Sequence, residues 1–479
     1  MASLMVLGNR KARLAMLAGV ASTVLSGCAA IPKVGPAPQI KAASTYAASQ
    51  SFSAPVAEWP QDRWWTAYQD PQLDKLIETA LAGSPDLAAA QARVRQADAT
   101  AEQVESTLGP QISAVAMAGE SKLSYNNGLP PSIVEHGWHD AGLAGLNLNW
   151  QIDFFGKNRA LLAAATSGAQ AARAEQAAAR LTLSTAVAGA YADLAQLYED
   201  RDAAADALRV RTESQDLIDQ RFAQGLEARS ASERAEAGRA STEAELAAID
   251  EAIGLTRNRI ATLVGQGPDL GLSIERPRPG AIRAFGLPAK LQADLVGRRP
   301  DVVAARLAAE AAAHKIKAAR ADFYPNVNLA ALAGYESMGL ANLAKSGSQF
   351  GTVGPAVTLP IFESGRLEGA YRGARADYDA AVAVYDQTLT HALGEVADSA
   401  ISARALDARL AKSREAMTAA QTAYDLAKQR YGRGLGTYLD VLSAEDALIS
   451  DRRAVADLET RAFTLDVALI RALGGGYRV

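Results

Sequence analysis

Residues 154–172 read FFGKNRALLAAATSGAQAA, and residues 362–381 read FESGRLEGAYRGARADYDAA. Alignment of Gly156 with Gly365 places the two segments in one register, with an offset of 209 residues. The same offset pairs RFAQGLEA with RYGRGLGT further along the chain, and LVGQG with ALGGG. One register that holds over about 110 residues indicates an internal duplication. We therefore expect two halves that fold in the same way.

The duplication extends upstream of these segments with a slightly larger offset. Pro85 pairs with Pro300, and Pro110 pairs with Pro325, at a separation of 215 residues. The change in offset places a six-residue length difference in the part of each half that we predict to contain two strands and a loop. Each half is thus predicted to run in the order short helix, two strands, very long helix, turn and medium helix.

The helices are predicted from composition and from helix-terminal signals. Residues 157–224 and 365–432 are rich in Ala, Glu, Gln, Arg and Leu and contain no proline, as expected for two very long helices. At 1.5 Å per residue each would be about 100 Å long. Dense alanine favours close, coiled-coil-like packing of these helices. Shorter helices are predicted at residues 85–108, 227–264, 300–322 and 436–473.

The predicted strands have one apolar and one polar face. Residues 146–153, LNLNWQID, alternate strictly between apolar and polar side chains. GPAVTLPIF, at residues 354–362, repeats this pattern, and residues 111–119 and 326–335 are weaker partner strands. Such alternation is most often found in a sheet that covers a soluble core. Helices of the predicted length are too long to fold back over the strands, so we favour strands that face lipid.

Four strands per chain are too few for a transmembrane barrel, because the smallest known barrels have about eight. An open sheet in lipid would leave backbone groups without hydrogen bonds. Copies of the chain would therefore have to pool their strands. Two copies would give a barrel with little lumen, and three would give twelve strands and a passage. The alternative is a solid, soluble helical bundle.

The N-terminus has the layout of a secretory signal. Three basic residues between positions 10 and 13 precede a short apolar run and then LSGC at residues 25–28. LSGC resembles the bacterial lipobox, in which the peptide is cut before the cysteine and the cysteine carries lipid. Cys28 is the only cysteine of the chain, and Ala29 after it favours the outer membrane by the same resemblance. The alternative is a small-residue cleavage site with an incidental cysteine.

Composition excludes several classes of function. The chain has 49 basic and 53 acidic side chains, and removal of the three basic residues in the signal leaves 46 against 53. This acidic balance argues against a nucleic-acid partner, which requires a basic face. We find no arrangement of nucleophile and base in the sequence, so we expect no enzyme activity, no catalytic residues and no cofactor.

A metal site has one weak candidate. His136 and His139 in EHGWHD could bind a metal together with Glu135 and Asp140. Two histidines at this spacing in a loop are more often solvated than metal-bound. We therefore predict no metal site.

The sequence resembles the TolC-type outer-membrane factor family, and within it the lipoprotein efflux branch (NodT/OprM-like). The resemblance covers nearly the whole mature chain. It implies a mostly α fold with a membrane β-barrel part, in which a trimer forms a twelve-stranded barrel and an α-helical periplasmic tunnel. The matching stretches are WWTAYQDPQLDKLIETALAGSPDL (64–87), WQIDFFGKNR (150–159), RRPDVVAARLAAEAAAHKIKAARADFYP (298–325), GPAVTLPIFESGR (354–366), RYGRGLGTYLDVLSAED (430–446) and ALGGG (472–476).

The resemblance also implies a function and partners. The chain would be the exit channel of a tripartite efflux system, lipid-anchored in the outer membrane of a Gram-negative bacterium and extending into the periplasm. It would pass small toxic compounds or drugs outward with an inner-membrane pump of the RND type and a periplasmic adaptor, a membrane fusion protein. The alternatives are a lipid-tethered periplasmic scaffold without a pore, and an exit duct for metal ions or secreted protein.

These predictions divide the chain into six parts. They are a signal peptide (1–27), a lipidated N-terminal and equatorial segment (28–83), a first structural repeat (84–266, with strands at about 111–153), an equatorial linker (267–298), a second structural repeat (299–474, with strands at about 326–362) and a C-terminal tail (475–479).

The turns RFAQGLEA and RYGRGLGT join the long helix to the medium helix in each half. Their glycines suit a helix stop and a sharp reversal. The resemblance implies that both turns contact the adaptor, and the alternative is that they are plain turns. The residues concerned are Gly225, Leu226, Gly434, Leu435 and Gly436.

The resemblance further implies a periplasmic gate just after the second turn. Asp440 matches a family aspartate that narrows the channel entrance, and three copies near one axis would attract cations. The sequence departs from the family at Ser443, where a second aspartate is expected, and at Gly436, where a basic residue is expected. Nearby substitutes are Glu445, Asp446 and Arg433. The alternative is that Asp440 lies on a solvated helix face.

Overall fold

The structure is a computed structural model that describes residues 31–126, 130, 136–278 and 285–478. Cys28, the predicted signal peptide at residues 1–27, and Glu135 lie outside the described residues. The proposals that involve them therefore stay predictions.

The elements of the first half follow the predicted order. They are helices α1 (Pro71–Gly83) and α2 (Pro85–Glu105), strands β1 (Gln111–Ser121) and β2 (His139–Ile152), the long helix α3 (Lys157–Ala223), the medium helix α4 (Arg229–Val264) and the short helix α5 (Asp269–Leu272). One-turn 3-10 helices occur at Ala43–Thr45, Trp64–Tyr68 and Ser106–Leu108.

The second half repeats this order. It contains helices α6 (Leu291–Arg298) and α7 (Pro300–Ala321), strands β3 (Asn326–Met338) and β4 (Gln349–Thr358), a 3-10 turn (Leu340–Asn342), the long helix α8 (Arg366–Gly432) and the medium helix α9 (Tyr438–Ala472). The two long helices are confirmed with bounds that differ from the prediction by a single residue each.

The four strands form one antiparallel sheet in the order β1-β2-β3-β4. The central pairing joins the two halves, with Leu146 of β2 opposite Ala333 of β3. Strands β1 and β4 are the outer strands, and β1 is exposed along almost its whole length. The outer strands of an open sheet present backbone groups that can pair with a further strand. Ile112, Met117 and Val353 are among the large apolar side chains that these strands expose.

Two strand bounds differ from the sequence-based expectation. Strand β4 was expected at residues 354–362, but it begins at Gln349 and ends before Pro360, because proline has no N–H to donate to a ladder. Strand β2 begins at His139, inside a segment expected to be loop. Strand β2 extends to His139 because its backbone pairs with that of β1 as far as Ser121. The pattern of side chains along β2 does not reveal this pairing.

The chain forms two compact units that cut across the duplication. One contains the described residues up to Gln39 together with Val94–Ala171 and Ala305–Val384, and the other contains Ile40–Arg93, Ala172–Ala304 and the residues from Tyr385 onward. Each unit takes segments from both halves. Across the part of the chain that the structure describes, no helix is both long and apolar enough to cross a membrane.

The second unit has an aromatic core close to the N-terminal segment. Trp64 and Tyr68 are buried, and the Tyr68 ring lies 4.6 Å from that of Phe463 on α9. Asp70 caps helix α1 with its carboxylate, which also accepts a 2.7 Å hydrogen bond from the hydroxyl of Tyr191 on α3. The segment from Trp64 to Asp70 therefore contacts helices of both halves of the chain.

Candidate functional site

The two turns between long and medium helices have the same backbone. Gly225 and Gly434 each have a φ of 74°, a left-handed conformation that glycine adopts without strain. The N–H of Gly434 donates to the carbonyl of Tyr431 at 2.9 Å, and that of Leu435 donates to Arg430 at 2.8 Å. The first turn repeats both bonds at 2.9 Å. This is the Schellman pattern of helix termination, and the predicted helix stop is confirmed at both turns.

Gly436 has a different status from the other two turn glycines. It has no positive φ, and a methyl group at its Cα would meet only ordinary van der Waals neighbours at 3.6 Å or more. The expectation that Gly436 belongs to the glycines required by the reversal is therefore wrong. The backbone at this position therefore accommodates residues other than glycine. The absence here of the basic residue that the family resemblance implies is not required by the backbone geometry.

The second turn carries a capping box that the first lacks. The Oδ2 of Asp440 accepts hydrogen bonds from the backbone N–H and the hydroxyl of Thr437, both at 2.9 Å. The N–H of Asp440 donates back to the Thr437 hydroxyl at 3.3 Å. These hydrogen bonds from Thr437, backbone first, hold the pKa of the Asp440 carboxyl below its usual range. Ala228, at the matching position before α4, has no side chain that can cap.

Tyr431 links the two turns. Its side chain is 1% exposed, and its hydroxyl donates a 2.7 Å hydrogen bond to the carboxylate of Glu227 in the first turn. The guanidinium of Arg221 lies 4.6 Å from the centre of the Tyr431 ring, in cation–π contact. Burial, then the contact with Glu227, raises the pKa of Tyr431, so the hydroxyl keeps its proton at physiological pH.

A second link lies further from the turns, between α3 and α9. Glu445 is 1% exposed and accepts a 2.8 Å hydrogen bond from the hydroxyl of Ser214. Arg211 contacts Glu445 at 3.4 Å and Asp446 at 2.5 Å. Burial raises the pKa of the Glu445 carboxyl, while the Ser214 hydroxyl and the Arg211 charge oppose this shift. Glu445 and Asp446 thus link α9, the medium helix of the second half, to α3, the long helix of the first half.

The remaining residues predicted for the site are exposed. Leu226 and Leu435 occupy equivalent positions in the two turns and are 61% and 66% exposed. Arg433 and Ser443 are also exposed. The two turns thus present an apolar side chain to solvent at the same position.

Sequence reasoning placed Asp440, Glu445 and Asp446 near one another but missed their partners. It did not identify Arg211 and Ser214, which lie on α3, or Thr437, which lies in the second turn itself. It also did not identify Glu227 of the first turn, the partner of Tyr431. One signal was available in the duplicated register. Tyr431 stands where the first half has Phe222, so these two matched side chains differ by one hydroxyl.

The histidines considered as metal ligands are engaged locally. The Nε2 of His139 lies 3.1 Å from the carbonyl of His136, whose ring stacks on Tyr125. Asp140 accepts a hydrogen bond from the N–H of Leu340 at 2.7 Å. No group of three or more His, Cys, Asp or Glu side chains is placed to hold a metal among residues 31–126, 130, 136–278 and 285–478.

A known protein family matches this chain in both of its halves. The family model for outer membrane efflux protein matches residues 76–266 and 291–475, which include both long helices, both turns and all four strands. One matched segment lies in each half of the duplicated chain.

Three proteins that are similar to this chain agree with this match. The multidrug resistance outer membrane protein MdtP of Escherichia coli K12 is 30% identical over 474 residues, covering 95% of each chain. The fusaric acid resistance protein FusA of Burkholderia cepacia is 34% identical over 374 residues, or 76% of this chain and 70% of FusA. The crystal structure of VceC from Vibrio cholerae superposes with a TM-score of 0.84 at 45% identity, covering 88% of this chain and 100% of that one. The chain therefore belongs to the outer membrane efflux protein family.

Proposed function

We propose that this chain is the exit channel of a tripartite efflux system and works as a homotrimer. Three copies supply twelve strands, and the barrel closes where β1 of one copy pairs with β4 of the next. The single observation that carries the proposal is the open sheet of four strands, whose outer strands expose large apolar side chains. An open sheet in lipid needs further strands, and closed rings of copies are the usual solution.

Disulfide crosslinking of the outer strands tests this closure. We would introduce single cysteines along β1 and β4 of the purified protein, for example Ser113→Cys with Thr352→Cys, and oxidise in detergent. Crosslinks between copies that stop at trimers are expected, together with ion conductance in planar bilayers. The matched control is Asn149→Cys with Ala330→Cys, which are paired within one chain and should crosslink without changing the mass. A monomer that stays in the aqueous fraction would instead support the scaffold alternative.

The cargo is proposed to be small toxic compounds or drugs, moved by an inner-membrane pump of the RND type. The proposal extends to this chain the printed roles of relatives named for multidrug and fusaric acid resistance. Deletion of the gene should lower the inhibitory concentration of such compounds and leave that of metal salts unchanged. The reverse pattern would favour the alternative duct for metal ions.

The periplasmic adaptor is proposed to dock on the two turns. The exposed Leu226 and Leu435, presented on identical glycine turns, offer the apolar contacts for a helical partner. Replacement of both by serine should reduce adaptor crosslinking in cells without lowering the amount of trimer. Leu272, an exposed leucine outside the turns, is the matched control.

The gate is proposed to combine the Asp440 ring with links between the two halves. Asp440 supplies charge near the axis, Asp446 and Glu445 are held by Arg211, and Tyr431 is held by Glu227. Arg433 and Ser443 are exposed on the same segment and stay candidates for contacts between copies.

Asp440 has two separable roles, as a charge and as part of a capping box. Asp440→Asn removes the charge and keeps an oxygen that can cap, whereas Thr437→Ala removes the cap and keeps the charge. If the charge matters, Asp440→Asn weakens divalent-cation block of single channels and Thr437→Ala does not. Equal effects of the two variants would assign Asp440 to helix capping alone.

Lipid attachment at Cys28 completes the proposal. The lipobox-like LSGC supports an acylated N-terminus, and several acyl chains give a firm membrane tether. Metabolic labelling with palmitate should mark the wild-type protein and leave Cys28→Ser unlabelled. Labelling of the serine variant would exclude this residue as the attachment site.

A further inference from the structure

A cavity of about 590 Å³ lies in the first unit, where the strands end and the long helices begin. It is lined by the end of β2, the start of β3, the end of β4, and the first residues of α3 and α8. Its volume is that of a site for a small organic group. None of the roles proposed above uses it.

Large apolar side chains surround this cavity and are open to solvent. Phe362 is 84% exposed, Ile361 is 66% exposed and Phe154 is 64% exposed. The rings of Phe155 and Tyr324 stack beside them, with centroids 4.9 Å apart. Aromatic side chains concentrated at the end of a lipid-facing sheet are typical of a membrane–water interface.

Charged side chains of both signs line the same cavity. Lys157 pairs with Asp322 at 2.7 Å, and Arg366 pairs with Glu363 at 2.8 Å. Two cations thus face two anions, so these pairs carry no net charge. The third carboxylate of the lining, Asp153, is paired with Arg159 at 3.2 Å. The negative group of a zwitterionic ligand can pair with the two cations while its positive group pairs with the two anions, so the net charge of the cavity stays the same. A purely anionic ligand would leave the two carboxylates without a cation.

Asn326 adds a requirement for a hydrogen-bond donor. It lines the cavity, and its Oδ1 is buried without a hydrogen-bond partner among the residues described. Buried side-chain oxygens without a hydrogen-bond partner are uncommon in native proteins. A primary ammonium group has N–H donors, and a quaternary ammonium group has none.

We propose that this cavity binds the headgroup of a zwitterionic phospholipid with a primary amine, a phosphatidylethanolamine. Lys157 and Arg366 contact the phosphate. Asp322, Glu363 and the Oδ1 of Asn326 contact the ammonium. The acyl chains lie along Phe154 and Phe362. The inference rests on the proposed function, because it requires the sheet to lie in a bilayer.

Native mass spectrometry of the delipidated trimer in mild detergent tests the preference. Phosphatidylethanolamine, phosphatidylcholine and phosphatidylglycerol with identical acyl chains would be added one at a time. We expect phosphatidylethanolamine to be retained about tenfold better than the other two, the ratio expected for one charge-assisted hydrogen bond. Equal retention of the three lipids, or retention of none, would overturn the proposal.

The double variant Asp322→Asn with Glu363→Gln should lose this preference, because it removes the two carboxylates that contact the ammonium. The matched control is Glu415→Gln with Glu233→Gln, which removes the same charge from exposed ion pairs elsewhere and should keep it. Phe362→Ser, at a highly exposed position, gives a second variant in case the first does not fold. It should weaken retention of all three lipids alike.

Conductance measured on the same preparation separates the two proposals. A wild-type trimer that conducts but shows no lipid preference overturns the lipid site and leaves the channel intact. A chain that forms no conducting trimer overturns the channel, whatever lipid it retains. Lipid bound by the monomer but absent from the trimer would show that a second copy covers the cavity, which also overturns the lipid site.

Discussion

The two halves of this chain share a backbone but not a chemistry. Ser84 and Arg299 occupy the same position before the short helices, Ala228 and Thr437 the same position before the medium helices, and Gly267 and Gly476 the same position after them. In each pair the second half adds a contact that the first half lacks. The repeated backbone is therefore common to both halves, and these three positions carry additional contacts in the second half alone.

The glycines that follow the medium helices give the largest expected difference in stability between the halves. Gly476 has a φ of 86°, and a methyl group on it would lie 2.2 Å from the backbone of Gln61. Gly267, its equivalent, has open space around it. Gly476→Ala should cost about 3 kcal/mol or more from backbone strain and overpacking, and Gly267→Ala should cost less than about 1 kcal/mol.

Thermal dissociation of the trimer in detergent measures both glycine variants. If Gly267→Ala destabilised the protein as much as Gly476→Ala, the close backbone packing at Gly476 would not distinguish the second half from the first.

The second difference concerns the residue before the short helix. Arg299 is buried and contacts Asp301 at 2.6 Å and Glu395 at 2.5 Å. Removal of one member of a buried ionic network is costly because the others lose their partner, although both carboxylates here keep some contact with water. Arg299→Met should cost about 2 to 3 kcal/mol, and Ser84→Ala should change stability by less than about 0.5 kcal/mol.

Denaturant titration of the detergent-solubilised protein checks this pair. Similar midpoints for Arg299→Met and the wild type would show that the network is only a surface feature.

The third difference is a pH dependence along the long helices. Burial and the nearby charge of Asp457 raise the pKa of Asp200 on α3 to about 6 from its ordinary 3.8, and the equivalent position on α8 is Arg409. Because the folded-state pKa is raised, the folded chain binds this proton more tightly than the unfolded chain. The stabilisation is complete below about pH 4 and is lost as the pH rises through about 6.

Asp200→Asn removes this titration. Between pH 4.5 and 7.5 the wild type should lose about 1 kcal/mol relative to the variant, after allowance for solvent screening. Parallel stability curves for the two proteins over this range would contradict the prediction.

The fourth and smallest difference is the helix cap at the turns. Thr437→Ala should cost about 0.5 to 1 kcal/mol by removing the cap. Ala228→Thr would place a capping hydroxyl at the matching position of the first half and should recover about 0.5 kcal/mol. Ala231, the match of Asp440, is buried in a hydrophobic cluster and is left unchanged. If the added cap gave no gain in thermal stability, the difference between the turns would lie in their surroundings rather than in the cap.

The periodic features were readable in advance. Both long helices, the order of elements and the turn glycines Gly225 and Gly434 were predicted because they depend on local composition and backbone conformation. The strand ends at His139 and Thr358 were not, because pairing between strands sets them. The partners of Asp440, Glu445 and Tyr431 were missed for a related reason, since two of the three lie more than 200 residues away.

The sequence alone determined the duplication, the long helices, the family and the positions of the turns, because repeats, propensity and glycine placement are written locally along the chain. The tertiary structure decided which charges and hydroxyls meet. It fixed Arg211 against Glu445 and Asp446, and Tyr431 against Glu227. These contacts depend on how helices distant in sequence pack, and no local pattern encodes the distance between their side chains.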